Sequence, residues 1–570
     1  MRSKFIARAR LLSVIFIGVA ALLTLRLYFV QVIHGEEHRK SALGQYVETT
    51  EDREDREDIY FSEVDGDLVA AAVMQAGFQL AIDPRALVSA EETFEKLSSV
   101  IELDKERFFQ SAGKSEDPYE EVAFRLSTEE AARIRALKLP GVIIVSDEWR
   151  YYPGGPLAAH TIGFVGFQGN NRVGVYGLER QWEDTLLKHS SGTYVNPFAE
   201  IFTSLGAALS QDPTSETGSI ITTIEPRVQG RLEYTLNEVM QKYSPRSAGG
   251  IVMDPKTGEV VAIGARPGFD LNTYSTVEDA SVFSNPLVEN VYEMGSIMKP
   301  LTMAAALDSG VVTPRTTYND TGCIERSGEK ICNYDRKARG MVPMQEVLNQ
   351  SLNLGVTFAA EKMGMNVFRE YVHAYALGEK TGIDLPNEAK GIIGAIDRNY
   401  EVDHASASFG QGIAVTGMEM IRALGALANG GVLPSPHVVK GIKLESGIVR
   451  AIPPLSGPRV LKPETVDTVS RMLVEVYDDA LLGGILKQEH YSIAAKTGTA
   501  QIALAQGGGY YEDRFLHSFF GYFPAHEPRY IVFLMAVEPH GAEFASATLA
   551  RPFLDIAKFL INYYDIPPDR

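Results

Sequence analysis

From Leu11 to Val30 the chain reads LLSVIFIGVAALLTLRLYFV, a run of 20 residues with one charge, Arg26, near its far end. An apolar run of about 20 residues crosses a bilayer as a helix, and a terminal arginine snorkels to the interface. The segment before it, MRSKFIARAR, carries Arg2, Lys4, Arg8 and Arg10 and no acid. Basic residues flanking a span stay on the cytoplasmic side. The pattern predicts a cytoplasmic tail over residues 1–10, a transmembrane anchor over 11–30, and an extracytoplasmic remainder. A cleaved signal peptide is the alternative, but the run exceeds a usual signal core and no small-x-small cleavage site follows it. No later stretch is apolar enough to cross again, so the chain is predicted to hold the cell membrane by a single pass.

The remainder is long enough for two or more domains with full cores. The 54 basic and 73 acidic residues of the 570-residue chain leave a net charge of −19, which argues against a nucleic-acid partner. Cys323 and Cys332 are the two cysteines, too few for a disulfide framework or a four-thiolate zinc site. They stand nine positions apart in the exported polar loop GCIERSGEKICN, which predicts a disulfide, with two buried free thiols as the alternative. HGEEH, residues 34–38, matches a His-x-x-Glu-His zinc-protease pattern. It follows the membrane run directly, among charges and with no further ligand, and reads as a solvated juxtamembrane helix.

Residues 31 to about 218 alternate short strand-like runs with polar helices. TEEAARIRALKLPGVIIVSDEW is a helix, a Pro-Gly turn and a strand, because its apolar spacing changes from three-and-four to a continuous β-branched run. QDPTSETGS, residues 211–219, reads as a linker, and a second domain is predicted over 219–570. There GGIVMDPKTGEVVAIGA is a hairpin, Ala- and Leu-rich helices follow, YSIAAKTGTAQIA and RYIVFLMAVE are strands, and a helix closes the chain near 549–562. Strands, a helical block and strands again predict an α+β fold with helices on an antiparallel sheet.

YEMGSIMKPLTMAAAL, residues 292–307, sets the chemistry. Proline is tolerated only in a helix's first turn, so Pro300 starts a helix near Ser296. Ser296 then sits at the positive helix end with a free N–H for an anion, and Lys299 lies one turn on, on the same face. A serine hydroxyl needs a base to become a nucleophile, and lysine serves only if burial or a neighbouring cation lowers its pKa from about 10.4 toward neutrality. Ser-x-x-Lys also occurs at Ser111 and Ser327, without such a setting. AAKTGTAQ supplies the second cation, Lys496. Of three Lys-Thr-Gly triplets, those at Lys256 and Lys380 lie in a turn and a polar loop, and only the one at Lys496 continues a strand. Gly498 is read as room for a ligand backbone pairing along the strand edge, and the Thr499 N–H as a second oxyanion donor beside that of Ser296. NQSLN adds Ser351, a hydroxyl to pass a proton to a leaving amine, and Asn353, an amide to hold a substrate carbonyl and Lys299.

These three motifs in this order resemble the class B penicillin-binding proteins, membrane-anchored peptidoglycan D,D-transpeptidases of division or elongation. The likeness covers nearly the whole chain. RYYPGGPLAAHTIGFVG and GVYGLERQWEDTL are similar to the family's pedestal segments, and ASFGQGIAVTGMEMIRALGALANGG and HSFFGYFPAHEPRYIV to its catalytic domain. The resemblance implies a mixed α/β pedestal (dimerisation-like) domain over 31–218 and a β-lactamase-like penicillin-binding transpeptidase domain over 219–570. It implies Ser296 as the acylated nucleophile, Lys299 as its base, Ser351 and Asn353 as the second motif, and Lys496, Thr497 and Gly498 as the third. Met294, Ala495 and Gly417 stand where the family usually has proline, glycine and proline. REDIYFSEVDG keeps only Arg56, Ile59 and Gly66 of a short Arg-Gly-x-Ile-x-Asp-Arg-x-Gly stretch.

The expected activity is cross-linking of D-Ala–D-Ala stem peptides through an acyl-serine, inhibited by β-lactam antibiotics, with no metal or organic cofactor. A polytopic membrane glycosyltransferase and other cell-wall assembly proteins are the partners the resemblance implies. Length and the lack of further C-terminal modules favour cell division over cell shape. Rival readings are a membrane-anchored β-lactamase, for which no deacylating base is assignable, and an inactive scaffold or antibiotic sensor.

Overall fold

The computed structural model describes residues 56–168, 171–188, 217–504 and 507–570. The predicted anchor, Leu11–Val30, lies outside them; among the described residues no helix is long and apolar enough to cross a membrane.

The centre of the C-terminal part is a five-stranded antiparallel sheet. Its order is Ala494–Ala503, Tyr510–Phe523, Tyr530–Val537, Ser247–Met253 and Val260–Arg266. Alternate residues of a strand face opposite sides. Along YIVFLMAV, Val532, Leu534 and Ala536 join one apolar cluster, and Ile531, Phe533, Met535 and Val537 the other. Helices Pro226–Tyr243 and Ala545–Tyr563 cover the first face, and the helical block that begins at Lys299 covers the second. A strand buried on both faces reads as an unbroken apolar run, which is why its sequence shows no alternation. The α+β expectation holds, and the last helix starts four residues earlier than its sequence suggests.

The N-terminal part is built on a second, mixed sheet. It runs Val449–Ala451, Val439–Lys443, Ser219–Thr222, Ile59–Ser62, Leu68–Ile82 and Glu120–Leu126, with Val142–Tyr151 also paired to Leu68–Ile82. Ile59–Ser62 pairs in parallel with Ser219–Thr222, so this sheet draws strands from both sides of residue 218. Helix Thr128–Ala136, expected from its apolar spacing, begins with a capping box between Ser127 and Glu130. Arg56, one of the three residues kept in the divergent juxtamembrane stretch, is buried and donates to the fully buried Glu179 at 2.6 Å; Arg150 donates to the other oxygen at 2.7 Å. Buried charges persist only when paired, so GVYGLERQWEDTL supplies through Glu179 the anion that Arg56 and Arg150 require.

Cys323 and Cys332 face each other across the hairpin of Cys323–Arg326 and Glu329–Cys332 and form a disulfide. The free-thiol alternative is thereby set aside.

Candidate active site

Ser296 lies in a single 3-10 turn, Gly295–Met298, and the α-helix proper is Lys299–Asp308 with Pro300 in its first turn. In a 3-10 turn residues three apart eclipse one another, so Lys299 follows directly above Ser296. Ser296 is half-buried, while Lys299 is fully buried in the helical block. Pro300 thus marks the start of the α-helix three residues later than expected, and the intervening turn is what aligns the two side chains.

Glycines let this turn fit. Gly295 holds φ +62, a left-handed conformation unfavourable for a side chain, and its N–H donates to Gly410 O at 3.0 Å. Gly498 holds the other side. A Cβ there would stand 2.3 Å from Ser518 Oγ, 2.7 Å from Met294 O and 3.1 Å from Ile297 N. The reading of Gly498 as room for a ligand backbone is corrected: the space is filled by the nucleophile turn itself. Ser518 Oγ also donates to Met294 O at 2.9 Å. Gly498→Ala is expected to push the turn off the strand. Overpacking of this kind costs on the order of 1–3 kcal/mol. A lower melting temperature together with at least a roughly tenfold slower acylation at Ser296 would register it; an unaltered acylation rate would show that the turn relaxes freely.

Lys299 Nζ lies 2.5 Å from Ser351 O and 3.1 Å from Ser351 Oγ. Burial, and secondly the charge of Lys496, hold its pKa well below that of a free lysine. Both causes named from the sequence act here, and burial is the larger. Ser351 takes φ +55 between helices Met344–Asn349 and Asn353–Met363, a strained backbone of the kind found where function fixes a side chain. Asn353 departs from expectation. Its Nδ2 donates to Cys332 O at 2.9 Å, and the lysine contact expected of it falls to Ser351. The cause is the disulfide-closed hairpin, which presents the Cys332 carbonyl to the first residue of the helix.

Lys496 is 3 % exposed on the edge strand Ala494–Ala503, and burial brings its pKa down to about 8. Its Nζ donates to Thr497 O at 3.2 Å. Thr497 and Thr499 alternate with the buried Lys496, Gly498 and Ala500 and stay half-exposed. Thr499 Oγ1 accepts the Ala545 N–H at 3.1 Å, tying the edge strand to the last helix.

Three motifs scattered over 200 residues thus converge on one site: Lys299 touches Ser351, feels Lys496, and follows Ser296 by one turn. The duplicate motifs do not join them. Ser111 bonds Glu120 in the N-terminal part, Ser327 turns the disulfide hairpin, Lys256 lies in the turn before Val260, and Thr381 is bound to Glu388. Among the described residues the acidic trio that could share a cation is Glu63, Asp65 and Asp67, in the turn between Ile59–Ser62 and Leu68–Ile82, apart from these motifs.

Sequence reasoning missed the supports of the nucleophile turn. Ser518 and Gly410 were legible only as parts of similar segments, and Glu293 was not singled out. Its Oε1 accepts from Gly412 N at 3.1 Å and from Tyr510 OH at 3.3 Å, and burial raises its pKa.

The family model described as "Penicillin binding protein transpeptidase domain" matches residues 248–557, more than half of the chain. The chain belongs to this family. The "Penicillin-binding Protein dimerisation domain" model matches residues 63–199. Stage V sporulation protein D of Bacillus subtilis is 29% identical over 560 residues, covering 97% of this chain and 85% of that protein. The probable peptidoglycan D,D-transpeptidase FtsI of Caulobacter vibrioides is 29% identical over 483 residues, covering 82% and 74%. The crystal structure of penicillin binding protein 3 from Mycobacterium tuberculosis complexed with ampicillin aligns with a TM-score of 0.64 at 25% identity, covering 74% of this chain and 91% of that one. Penicillin Binding Protein 2X from Streptococcus thermophilus shares the fold, with a TM-score of 0.71 over 90% of this chain and 80% of its own.

Proposed function

We propose that this penicillin-binding protein cross-links peptidoglycan as a serine-type, penicillin-sensitive D,D-transpeptidase. The observation that carries the reading is a buried lysine, its charge suppressed by burial and a second lysine, in hydrogen-bond contact with Ser351 and one 3-10 turn from Ser296. Relatives named as D,D-transpeptidases support it, as do the aztreonam and ampicillin complexes of a structural neighbour.

In this reading Ser296 Oγ attacks the carbonyl between the two D-alanines, and neutral Lys299 takes its proton. N–H groups of Ser296 and Thr499 receive the oxyanion. Ser351, already bonded to Lys299 Nζ, hands the proton to the departing D-alanine amine. Thr497, half-exposed on the strand, keeps its expected substrate-side role, while Gly498 seats the turn and Asn353 fixes the second motif to Cys332. Lys496 binds the terminal carboxylate, and the acyl group then passes to an amine of a second stem peptide. Glycan strands come from a membrane glycosyltransferase partner, since cross-linking acts on strands already polymerised. Leu11–Val30 anchors the chain, supported by its unbroken apolar run behind a basic tail. Division is the proposed setting, and midcell against sidewall localisation of a tagged protein tests it.

The fate of the acyl-enzyme tests the chemistry. A lactamase needs a base beside the ester to activate water, help worth about 10²–10⁴-fold. Purified protein is expected to consume one equivalent of penicillin and keep the adduct for hours by intact mass. Rapid loss of adduct with continuing hydrolysis would overturn the transpeptidase reading.

A further inference from the structure

Ser351 holds its left-handed backbone, φ +55, between two helices that do not include it. Such a conformation persists only where its surroundings impose it. Two side chains grip the motif from either side. Arg339 Nε donates to Gln350 Oε1 at 2.6 Å, on the residue before Ser351. Asn333 Oδ1 accepts the Leu354 N–H at 3.2 Å, in the first turn of helix Asn353–Met363. The first N–H groups of a helix have no partner within it, and Leu352 at the cap position has no side chain to offer one. Asn333 supplies that cap from a distant segment.

Both grips meet at Asp320. This residue ends strand Thr317–Asp320 and pairs with Gly340, beside Arg339, and its side chain is fully buried. Asn333 Nδ2 donates to its two oxygens at 2.9 and 3.1 Å, and the Gly322 N–H donates to Oδ1 at 3.1 Å. The Arg339 guanidinium lies 3.7 Å from Oδ2 and is held on its other side by Asp335 at 3.0 Å; the Arg339 N–H donates to Asp320 O at 3.1 Å. A carboxylate offers only acceptors, so Asn333 must turn its NH2 to Asp320 and its carbonyl oxygen to Leu354. With the amide reversed, its NH2 would meet the Leu354 N–H, donor against donor. We propose that Asp320 is a positioning residue for Ser351: through Asn333 and Arg339 it fixes the second motif on both sides, and so places the Ser351 hydroxyl where it hands its proton to the leaving nitrogen. This rests on the transpeptidase reading.

The test varies the leaving atom. Ser296 Oγ attacks a carbonyl in either case, but in a β-lactam the C–N bond breaks and nitrogen takes the Ser351 proton, which Lys299 replaces. In a thioester the C–S bond breaks and sulfur departs as a thiolate with the electron pair, needing no proton. Second-order acylation rates are measured for benzylpenicillin, by adduct mass, and for the thioester of N-benzoyl-D-alanine with thioglycolate, by released thiol. The full chain is compared with Asp320→Ala, Asp320→Asn, Arg339→Ala, Ser351→Ala and the double variant of Asp320→Ala with Ser351→Ala. The penicillin-to-thioester ratio is expected to fall about tenfold in Asp320→Ala, the scale of a displaced proton donor. Asp320→Asn, which keeps an acceptor for Asn333, is expected to recover most of that loss. Ser351→Ala lowers the same ratio, and adding Asp320→Ala to it lowers the ratio no further. A packing role alone slows both compounds together and leaves the ratio intact, which overturns the proposal. Should Asp320→Ala not fold, Arg339→Ala, at a side chain nearer the surface, decides by the same ratio: a fall supports the proposal and an unchanged value overturns it. If neither compound acylates Ser296 in the unaltered protein, the transpeptidase reading falls, a different failure from an unchanged ratio.

Discussion

Ser296→Ala is expected to take up no covalent penicillin, while the unaltered protein takes up one equivalent on Ser296. Removing the nucleophile of a serine acyl-enzyme mechanism costs on the order of 10⁶-fold, beneath detection in a labelling assay. The substitution is gentle for the fold. Ser296 is half-buried, and the turn is held by its neighbours: Gly295 N on Gly410 O, and Ser518 Oγ on Met294 O. Loss of label with an unchanged melting curve therefore isolates chemistry from stability. Peptide mapping of the unaltered protein is the decisive control. Label on Ser111 or Ser327 would overturn the assignment.

Periodicity carried much of the fold. YIVFLMAV and TEEAARIRA declare their elements because burial on two faces leaves an unbroken apolar run and burial on one helix face leaves three-and-four apolar spacing. The site was legible for a different reason. Ser296, Lys299, Ser351 and Lys496 are residue types whose chemistry makes sense only together, so their order and settings outweighed the duplicate motifs. What escaped was tertiary. No local pattern says that Gly498 makes room for Met294 O rather than for a ligand, because the contact joins segments 200 residues apart. Asn353 was misread in the same way: the carbonyl that claims its amide belongs to Cys332, brought there by a hairpin whose disulfide was predicted but whose docking site was not.

The pH dependence of acylation comes from the two lysines. Lys299 must be neutral to take the Ser296 proton, so the rate climbs as Lys299 loses its own proton, well below the ordinary lysine range. Lys496 must be charged to hold a carboxylate, so the rate falls again above its pKa of about 8. The profile for a carboxylated β-lactam is thus a bell. Lys299→Ala removes the base and is expected to slow acylation about 10²–10⁴-fold at every pH. Lys299→Arg places a permanent charge there without a base, because a guanidinium does not deprotonate in this range, and is expected to rescue nothing. Lys496→Ala separates the two causes of the Lys299 shift. Removing that cation lets the Lys299 pKa rise, which moves the ascending limb to higher pH, and it abolishes the descending limb. Because burial is the larger cause, the ascending limb stops short of the free-lysine value. Acylation rates from about pH 5 to 10 for the three variants check the assignment. An ascending limb unmoved in Lys496→Ala would mean that burial alone sets the base, and a limb at the free-lysine pKa would mean that Lys496 alone does.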